Sequence, residues 1–243
     1  MIPPDHPRYR SLVTRELLAE RAKKGIVSLE GLTAHGRGEA FDYFIGEKTI
    51  ASALKAERTA AALLLSARHP VISVNGNAAA LAAREIAVLQ KASGALVEVN
   101  LFHRTKERVT LIEDLLMNAG ADVLTGMAEQ LLPLSHDRAW CRREGIFSAD
   151  VILVPLEDGD RCEALVAMGK TVIAVDLNPL SRTSRRATLT IVDELTRALP
   201  NITDSCRTLS TAERRELLET LDNNYLLSDA IREMTMRLAH ALD

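Results

Sequence analysis

Ala149-Asp150-Val151-Ile152-Leu153-Val154-Pro155-Leu156 and, after a short charged stretch, Thr171-Val172-Ile173-Ala174-Val175-Asp176 decide the fold. Both runs are continuously apolar and rich in β-branched residues, with none of the alternation of a strand wet on one face. A strand of that kind buries both faces, so its sheet must be parallel and covered by helices on either side. Between the two runs, residues 161–168 read as a short helix stopped by Gly169. Towards the N-terminus the same alternation repeats. Residues 71–74 and 95–102 read as strands, 55–68, 78–92 and 106–119 as helices, and 122–124 as a weaker strand. Pro70 closes the first of those helices, because proline disfavours helix in the residue before it. Towards the C-terminus, residues 188–192 form a further strand, and Asp193 stands where an N-cap belongs before a helix at 194–199.

The pattern predicts a doubly wound α/β fold, Rossmann-like in the broad sense, with a mainly parallel sheet. After Pro200 it changes: Ser210-x-x-Glu213 is a capping box, and Leu227, Ile231, Met234, Leu238 and Ala241 recur at steps of four and three. The expected organisation is a Rossmann-like domain over residues 1–204 and a C-terminal helical appendage over 205–243. Composition narrows the function classes. A chain that is 47% hydrophobic can build a core, whereas a net charge of -3 and 3% aromatic residues argue against a nucleic-acid binder. No apolar run is long enough to span a membrane, and the N-terminus lacks a signal peptide's basic start and apolar stretch. Three scattered cysteines, Cys141, Cys162 and Cys206, fit reduced thiols rather than a disulfide framework or a zinc site. The composition therefore predicts a soluble, cytoplasmic, globular protein.

In open parallel sheets, ligands bind where strands end and helices begin. The loop at 176–186 puts Asp176 and Asn178 after a strand, positions suited to ribose hydroxyls or a base. Arg182, Arg185 and Arg186 follow, offering charge-assisted donors to phosphate oxygens. Asn75-Gly76-Asn77 precedes an alanine-rich helix, and its glycine permits close backbone approach; a tight turn capped by asparagine explains those residues almost as well. Asn100, His103 and Arg104 follow another strand and can hold a carboxylate or phosphate. Glu157, Asp158 and Asp160 supply three carboxylates that could meet Mg²⁺, with helix capping favoured for Asp160. Residues 34–48 lack helical periodicity and read as a loop in which Gly36 and Gly38 let the backbone wrap an anion while Arg37 points at it. Neither a Walker A loop nor a G-x-G-x-x-G fingerprint is present, so the spacing points to an anionic-ligand enzyme and no further.

These blocks also resemble one family when taken together. Ile2-Pro3 with His6-Pro7-Arg8-Tyr9, HGRGEAFD (35–42) with Gly46-Glu47-Lys48-Thr49, and Leu54-Lys55-Ala56-Glu57-Arg58 come first. VISVNGN (71–77), EVNLF (98–102), VPLEDGDR (154–161) and DLNPLSRT (176–183) follow in collinear order. They resemble the archaeal 4-phosphopantoate–β-alanine ligases, also called phosphopantothenate synthetases, from residue 1 to about 201. The resemblance implies an ATP-dependent ligase of coenzyme A biosynthesis, working as a homodimer with ATP as co-substrate and Mg²⁺ in attendance. It implies that 4-phosphopantoate and β-alanine give 4′-phosphopantothenate, AMP and diphosphate through an acyl-adenylate. It implies a nucleotide site at Arg15, Arg37, Asp176, Leu177, Asn178, Arg182, Thr183, Asp193 and Glu194, with Arg37 and Arg182 the candidates for a catalytic role. Strand-end position adds Asn75, Asn77, Asn100, His103 and Arg104 for phosphopantoate. Two other readings stand beside it: an NAD(P)-dependent oxidoreductase, disfavoured by the missing glycine fingerprint, and a non-catalytic nucleotide-binding protein, suggested by the helical tail. Residues 132–145 depart from the family's pattern, which leaves contacts from His136 and Arg138 in doubt.

Overall fold

Five parallel strands form the sheet that the apolar runs predict: β1 (Pro70–Val74), β2 (Leu96–Val99), β5 (Val151–Pro155), β6 (Thr171–Val175) and β7 (Leu189–Ile191), in the order β2-β1-β5-β6-β7. The computed structural model describes residues 2–6 and 8–241; Met1, Pro7 and the last two residues lie outside it, and of these Pro7 belongs to the N-terminal block above. Successive strand residues point to opposite faces, and both faces are dry. Ile72, Val74, Leu153, Ile173 and Val175 enter one apolar cluster, while Val71, Ile152, Val154, Val172 and Ala174 enter another. The first cluster is covered by α3 (Ala51–Ser66), α4 (Gly76–Ser93), α5 (Lys106–Asn118) and α8 (Leu195–Thr208). The second is covered by α6 (Gly159–Ala167), α7 (Arg182–Arg186) and the segment around Leu132, Cys141 and Ile146. That segment carries a small antiparallel pair, β3 (Glu129–Gln130) with β4 (Trp140–Cys141). Residues 122–124 contribute a single parallel bridge, Val123 to Val97, beyond β2.

Helix α8 corrects the sequence-based boundary. Pro200 lies inside it and the helix continues to Thr208. An interior proline costs about 3 kcal/mol, but Leu195, Ala198, Leu199 and Ile202 are all buried against the sheet cover. Burying four apolar side chains outweighs one lost hydrogen bond. The N-cap of α8 is Glu194, whose carboxylate accepts from the Thr196 amide at 2.7 Å, and not Asp193 as spacing suggested. Two C-terminal helices follow, α9 (Thr211–Glu219), opened by the predicted Ser210–Glu213 capping box, and α10 (Asn223–Ala239). Helix α10 buries Leu226, Leu227, Ala230 and Met234; Ile231 and Leu238 of the predicted stripe face outward. The period was right and the face was rotated, because the partner surface, not the spacing, chooses which stripe is covered. Leu227, Ala230 and Met234 pack with Ile45, Ile50, Leu177 and Val192, so the last helix props the loops beyond β6 and β7.

The largest correction concerns residues 34–48. They belong mostly to a helix, α2 (Leu29–Ile45), which follows α1 (Tyr9–Lys23). Ser28 caps α2, accepting from the Gly31 amide at 3.1 Å, and Gly46 ends it in the left-handed conformation at φ 82°. The three internal glycines, Gly31, Gly36 and Gly38, hid the helix, since each costs about 1 kcal/mol relative to alanine. No helix among the described residues is long and apolar enough to cross a membrane.

Candidate active site

The chain leaves β1 towards β2 on one side and returns through β5 on the other, so the sheet has its topological switch point between β1 and β5. Asn75 sits there. Its Oδ1 accepts from the Ala78 amide at 2.9 Å, and its Nδ2 donates to the carbonyls of Pro155 and Leu156 at 3.0 and 2.9 Å. The side chain therefore caps α4 and ties the ends of β1 and β5 together. The close approach that Gly76 permits is internal: a Cβ there would clash with the Ile26 carbonyl oxygen.

Helix α2 organises everything else. At about 1.5 Å per residue, its 17 residues are long enough to cross five strands spaced about 4.8 Å apart. Its contacts follow the strand order. Glu30 lies 3.7 Å from His103, beyond β2, and the Gly31 carbonyl accepts from Asn77 Nδ2 at 2.8 Å, beyond β1. A Cβ at Gly38 would lie 3.8 Å from Leu177, beyond β6, and the charge of exposed Arg37 acts on Asp176. Asp42 pairs with Arg197, which also holds Asp193, beyond β7. The helix thus spans the carboxyl edge and reaches strand-end residues beyond β2, β1, β6 and β7.

In the β6 loop, Asp176 accepts from the Asn178 amide at 2.9 Å and the Ser181 hydroxyl at 2.5 Å. Burial pushes its carboxyl up from the ordinary value; those hydrogen bonds and the Arg37 guanidinium pull it back. Asn178 Oδ1 accepts from the Leu180 amide, and Leu177 is buried on the α10 cluster. Ser181 caps α7, which begins at Arg182. Arg182 meets Glu163 at 2.6 Å, and Arg15 meets Glu39 of α2 at 2.9 Å; both arginines are largely exposed. Exposed ion pairs contribute little to stability, so neither pairing locks its guanidinium in place. Thr183 is buried, donating its hydroxyl hydrogen to the Glu157 carbonyl at 2.8 Å.

On the β2 side, Asn100 is fully buried. Its Nδ2 donates to the Trp140 carbonyl at 2.9 Å, and its carbonyl oxygen accepts from Arg138 at 3.0 Å. The Arg104 amide donates to Asp137 at 2.8 Å, whereas its buried Nη1 has no hydrogen-bond partner among the described residues. His103 is exposed. The doubtful segment 132–145 proves central: His136 bonds Asp160 at 2.8 Å and stacks on Phe102, while buried Arg138 holds Asp158 at 3.1 Å. The three carboxylates 157, 158 and 160 each have a side-chain partner: Glu157 pairs with Arg161 and Arg138, Asp158 with Arg138, and Asp160 with the His136 ring. Asp160 lies in the first turn of α6 and is not its cap; the N-cap position is Asp158, whose side chain makes no capping hydrogen bond. No group of three His, Cys, Asp or Glu among the described residues is arranged to hold a metal. Burial pushes the Cys141 and Cys162 thiols up to about 12, which removes them as nucleophiles at neutral pH.

Periodicity could not find Glu57, Glu98, Arg142, Arg161 or Arg197, all ionisable groups inside the fold. The one available signal is spacing of four, which pairs Glu157 with Arg161 and Asp193 with Arg197. Glu57 is fully buried beside Asp193 with one oxygen bonded to Asn201 at 2.9 Å. Desolvation, reinforced by the Asp193 charge, pushes its carboxyl up to about 9, so it is neutral in the folded protein at pH 7. An acid whose value rises on folding takes up a proton, and stability falls as pH climbs from about 4.5 towards 9. Glu57→Gln mimics the neutral acid. It should exceed the native protein in stability at pH 8 by on the order of 3 kcal/mol, with the gap closing near pH 4.5. Thermal melts across that range check it, and a gap independent of pH would mean that Glu57 is ionised when folded.

An open parallel sheet with strand-end loops beside an arginine-bearing helix defines an α/β protein of the class whose ligands bind at the carboxyl edge of the sheet. The profile of the phosphopantothenate/pantothenate synthetase family matches residues 52–237, and the chain belongs to that family. It is 60% identical over 243 residues to the 4-phosphopantoate–β-alanine ligase of Methanospirillum hungatei, covering all of both chains. It is 55% identical to the ligase of that name from Methanosarcina mazei and 50% identical to that from Thermococcus kodakarensis, covering 98% of this chain and 95% of each relative.

Proposed function

We propose that this chain is a 4-phosphopantoate–β-alanine ligase, forming phosphopantothenate for coenzyme A biosynthesis in the cytoplasm as a homodimer. The observation that carries the reading is 60% identity along the whole of both chains to a ligase of that name. The geometry supports a division of labour along α2. ATP lies at the β6–β7 end, with ribose on Asp176 and Asn178 and phosphates on Arg37, Arg182 and Arg15. Leu177 and Thr183 shape that loop, and Asp193 with Glu194 closes its far side. Phosphopantoate lies towards β1 and β2, near Asn77, His103 and Arg104, with Asn75 and Asn100 holding the walls.

The first step brings the phosphopantoate carboxylate to the α-phosphorus of ATP; an acyl–phosphate bond forms and diphosphate leaves. Two anions must approach, so guanidinium groups aimed at the phosphates offset the repulsion and stabilise the charge that develops. The β-alanine amine then attacks the acyl carbon, the C–O bond to AMP breaks, and the ammonium proton passes to solvent or a nearby base. Proximity supplies much of that second step. Carboxylates 157, 158 and 160 are engaged by Arg161, Arg138 and His136, so these three offer no ready cage for Mg²⁺; the ion would be carried on the nucleotide phosphates.

Asp176→Ala tests the placement. The KM for ATP should rise roughly 10-fold or more, with that for β-alanine little changed, in an assay following AMP and phosphopantothenate together. An unaltered ATP KM would remove the ribose from this loop.

A further inference from the structure

Helix α2 is held in an unusual way. Only Asp42 and Ile45 are buried along its length, both in its last turn. Little backs the two glycines beside Arg37: nothing lies within 4 Å of where a Cβ at Gly36 would stand, and at Gly38 the approach is an ordinary 3.8 Å. The helix is held instead by Leu32 on the core, by Glu39 on Arg15 of α1, and by a tie at each end, and the position of Arg37 depends on these. The N-terminal tie is the Asn77 amide on the Gly31 carbonyl, at a glycine where a Cβ would collide with Asn77. The C-terminal tie is Arg197. Its Nη1 donates to Asp42 Oδ2 at 3.1 Å while Nη2 reaches Asp42 Oδ1, a bidentate grip. Its Nε and Nη2 hold Asp193 Oδ1 at 2.8 and 2.6 Å. Asp193 is immobilised in turn, 1% exposed, accepting from the Thr49 hydroxyl at 2.5 Å and the Glu194 amide at 2.7 Å. A planar fork bonded on two sides transmits position as well as charge.

We propose that Arg197 is a positioning residue for the nucleotide step: by clamping Asp42 of α2 to Asp193 behind β7, it fixes Arg37 over the Asp176 loop. This rests on the assignment of Arg37 to the ATP phosphates. Arg197 acts through the helix, so its loss matters only while Arg37 is there to be misplaced. Neighbouring carboxylates, Asp42, Glu57, Asp193 and Glu194, all act on the guanidinium or share its surroundings, which anchors it to the protein rather than to a passing ligand.

The test is a double-mutant cycle between Arg37→Ala and Arg197→Met, read as the Kd for ATP by calorimetry and as KM values for ATP and β-alanine. Arg197→Met should weaken ATP binding about tenfold and leave the β-alanine KM within about twofold. In the Arg37→Ala background it should add nothing. Amide hydrogen exchange in residues 36–42 should accelerate in Arg197→Met, and Arg197→Lys, a point charge without the fork, should restore only part of the affinity. Asp42→Asn breaks the same tie while keeping the Arg197–Asp193 pair, and carries the same cycle if Arg197→Met does not fold. Losses that multiply in the double variant, or a fall in affinity shared equally by both substrates, would overturn the proposal. An Arg37→Ala variant that binds ATP normally would remove the phosphate assignment itself, and the proposal with it.

Discussion

Arg37→Ala is expected to lower kcat/KM for ATP by about 10²- to 10³-fold, with the melting temperature unchanged. The magnitude follows from losing one donor aimed at a phosphate during attack by a carboxylate, the point at which negative charge is most crowded. The substitution is structurally mild. Arg37 is exposed in α2 between two glycines, and alanine is the better helix former, so fraying cannot account for a loss. Arg37→Lys should recover part of the activity, because a lysine keeps the charge and loses the planar fork. Steady-state kinetics with a parallel thermal melt check all three statements. Near-native kinetics for Arg37→Ala would take Arg37 out of the phosphate site.

The second large effect is on stability. Arg161→Met should cost about 3–5 kcal/mol, roughly 10 °C in Tm for a chain of this size. Arg161 is fully buried, paired with Glu157 four residues earlier and donating to Ser73 Oγ of β1 at 2.9 Å. Removing it leaves the Glu157 carboxylate in the interior with Arg138 at 3.5 Å as its nearest remaining cation. The penalty is that of an uncompensated buried charge, not the net worth of the pair. The ATP affinity of whatever remains folded should be nearly native, since Arg161 reaches no open surface. A shift of less than about 1 kcal/mol would mean that water or Arg138 takes over the carboxylate.

Much of the fold is legible in local pattern. The strands are legible because a parallel strand buried on both faces must be continuously apolar, and the runs at 151–155 and 171–175 have no other comfortable home. Strand-end position singled out Asp176, Asn178 and Arg182 as candidates from the geometry of open sheets alone. Helix α2 escaped because Gly36, Arg37 and Gly38 blur any period; its real signals were the caps, Ser28 before it and Gly46 after it. Helix α8 outran its predicted end because burial outweighed Pro200.

Residue order thus determined the sheet, its helical cover and the loops that leave the strand ends, all consequences of local spacing and of what one chain segment can bury. It also carried the family, through blocks whose order and composition are properties of the chain. Only the tertiary structure decided that α2 crosses the carboxyl edge, that Asn75 braces two strand ends, and that Arg197 ties Asp42 to Asp193. Those are contacts between groups up to 155 residues apart in the chain. A buried charge is tolerated only when its partner arrives from elsewhere in the fold, and no local pattern records which partner that will be.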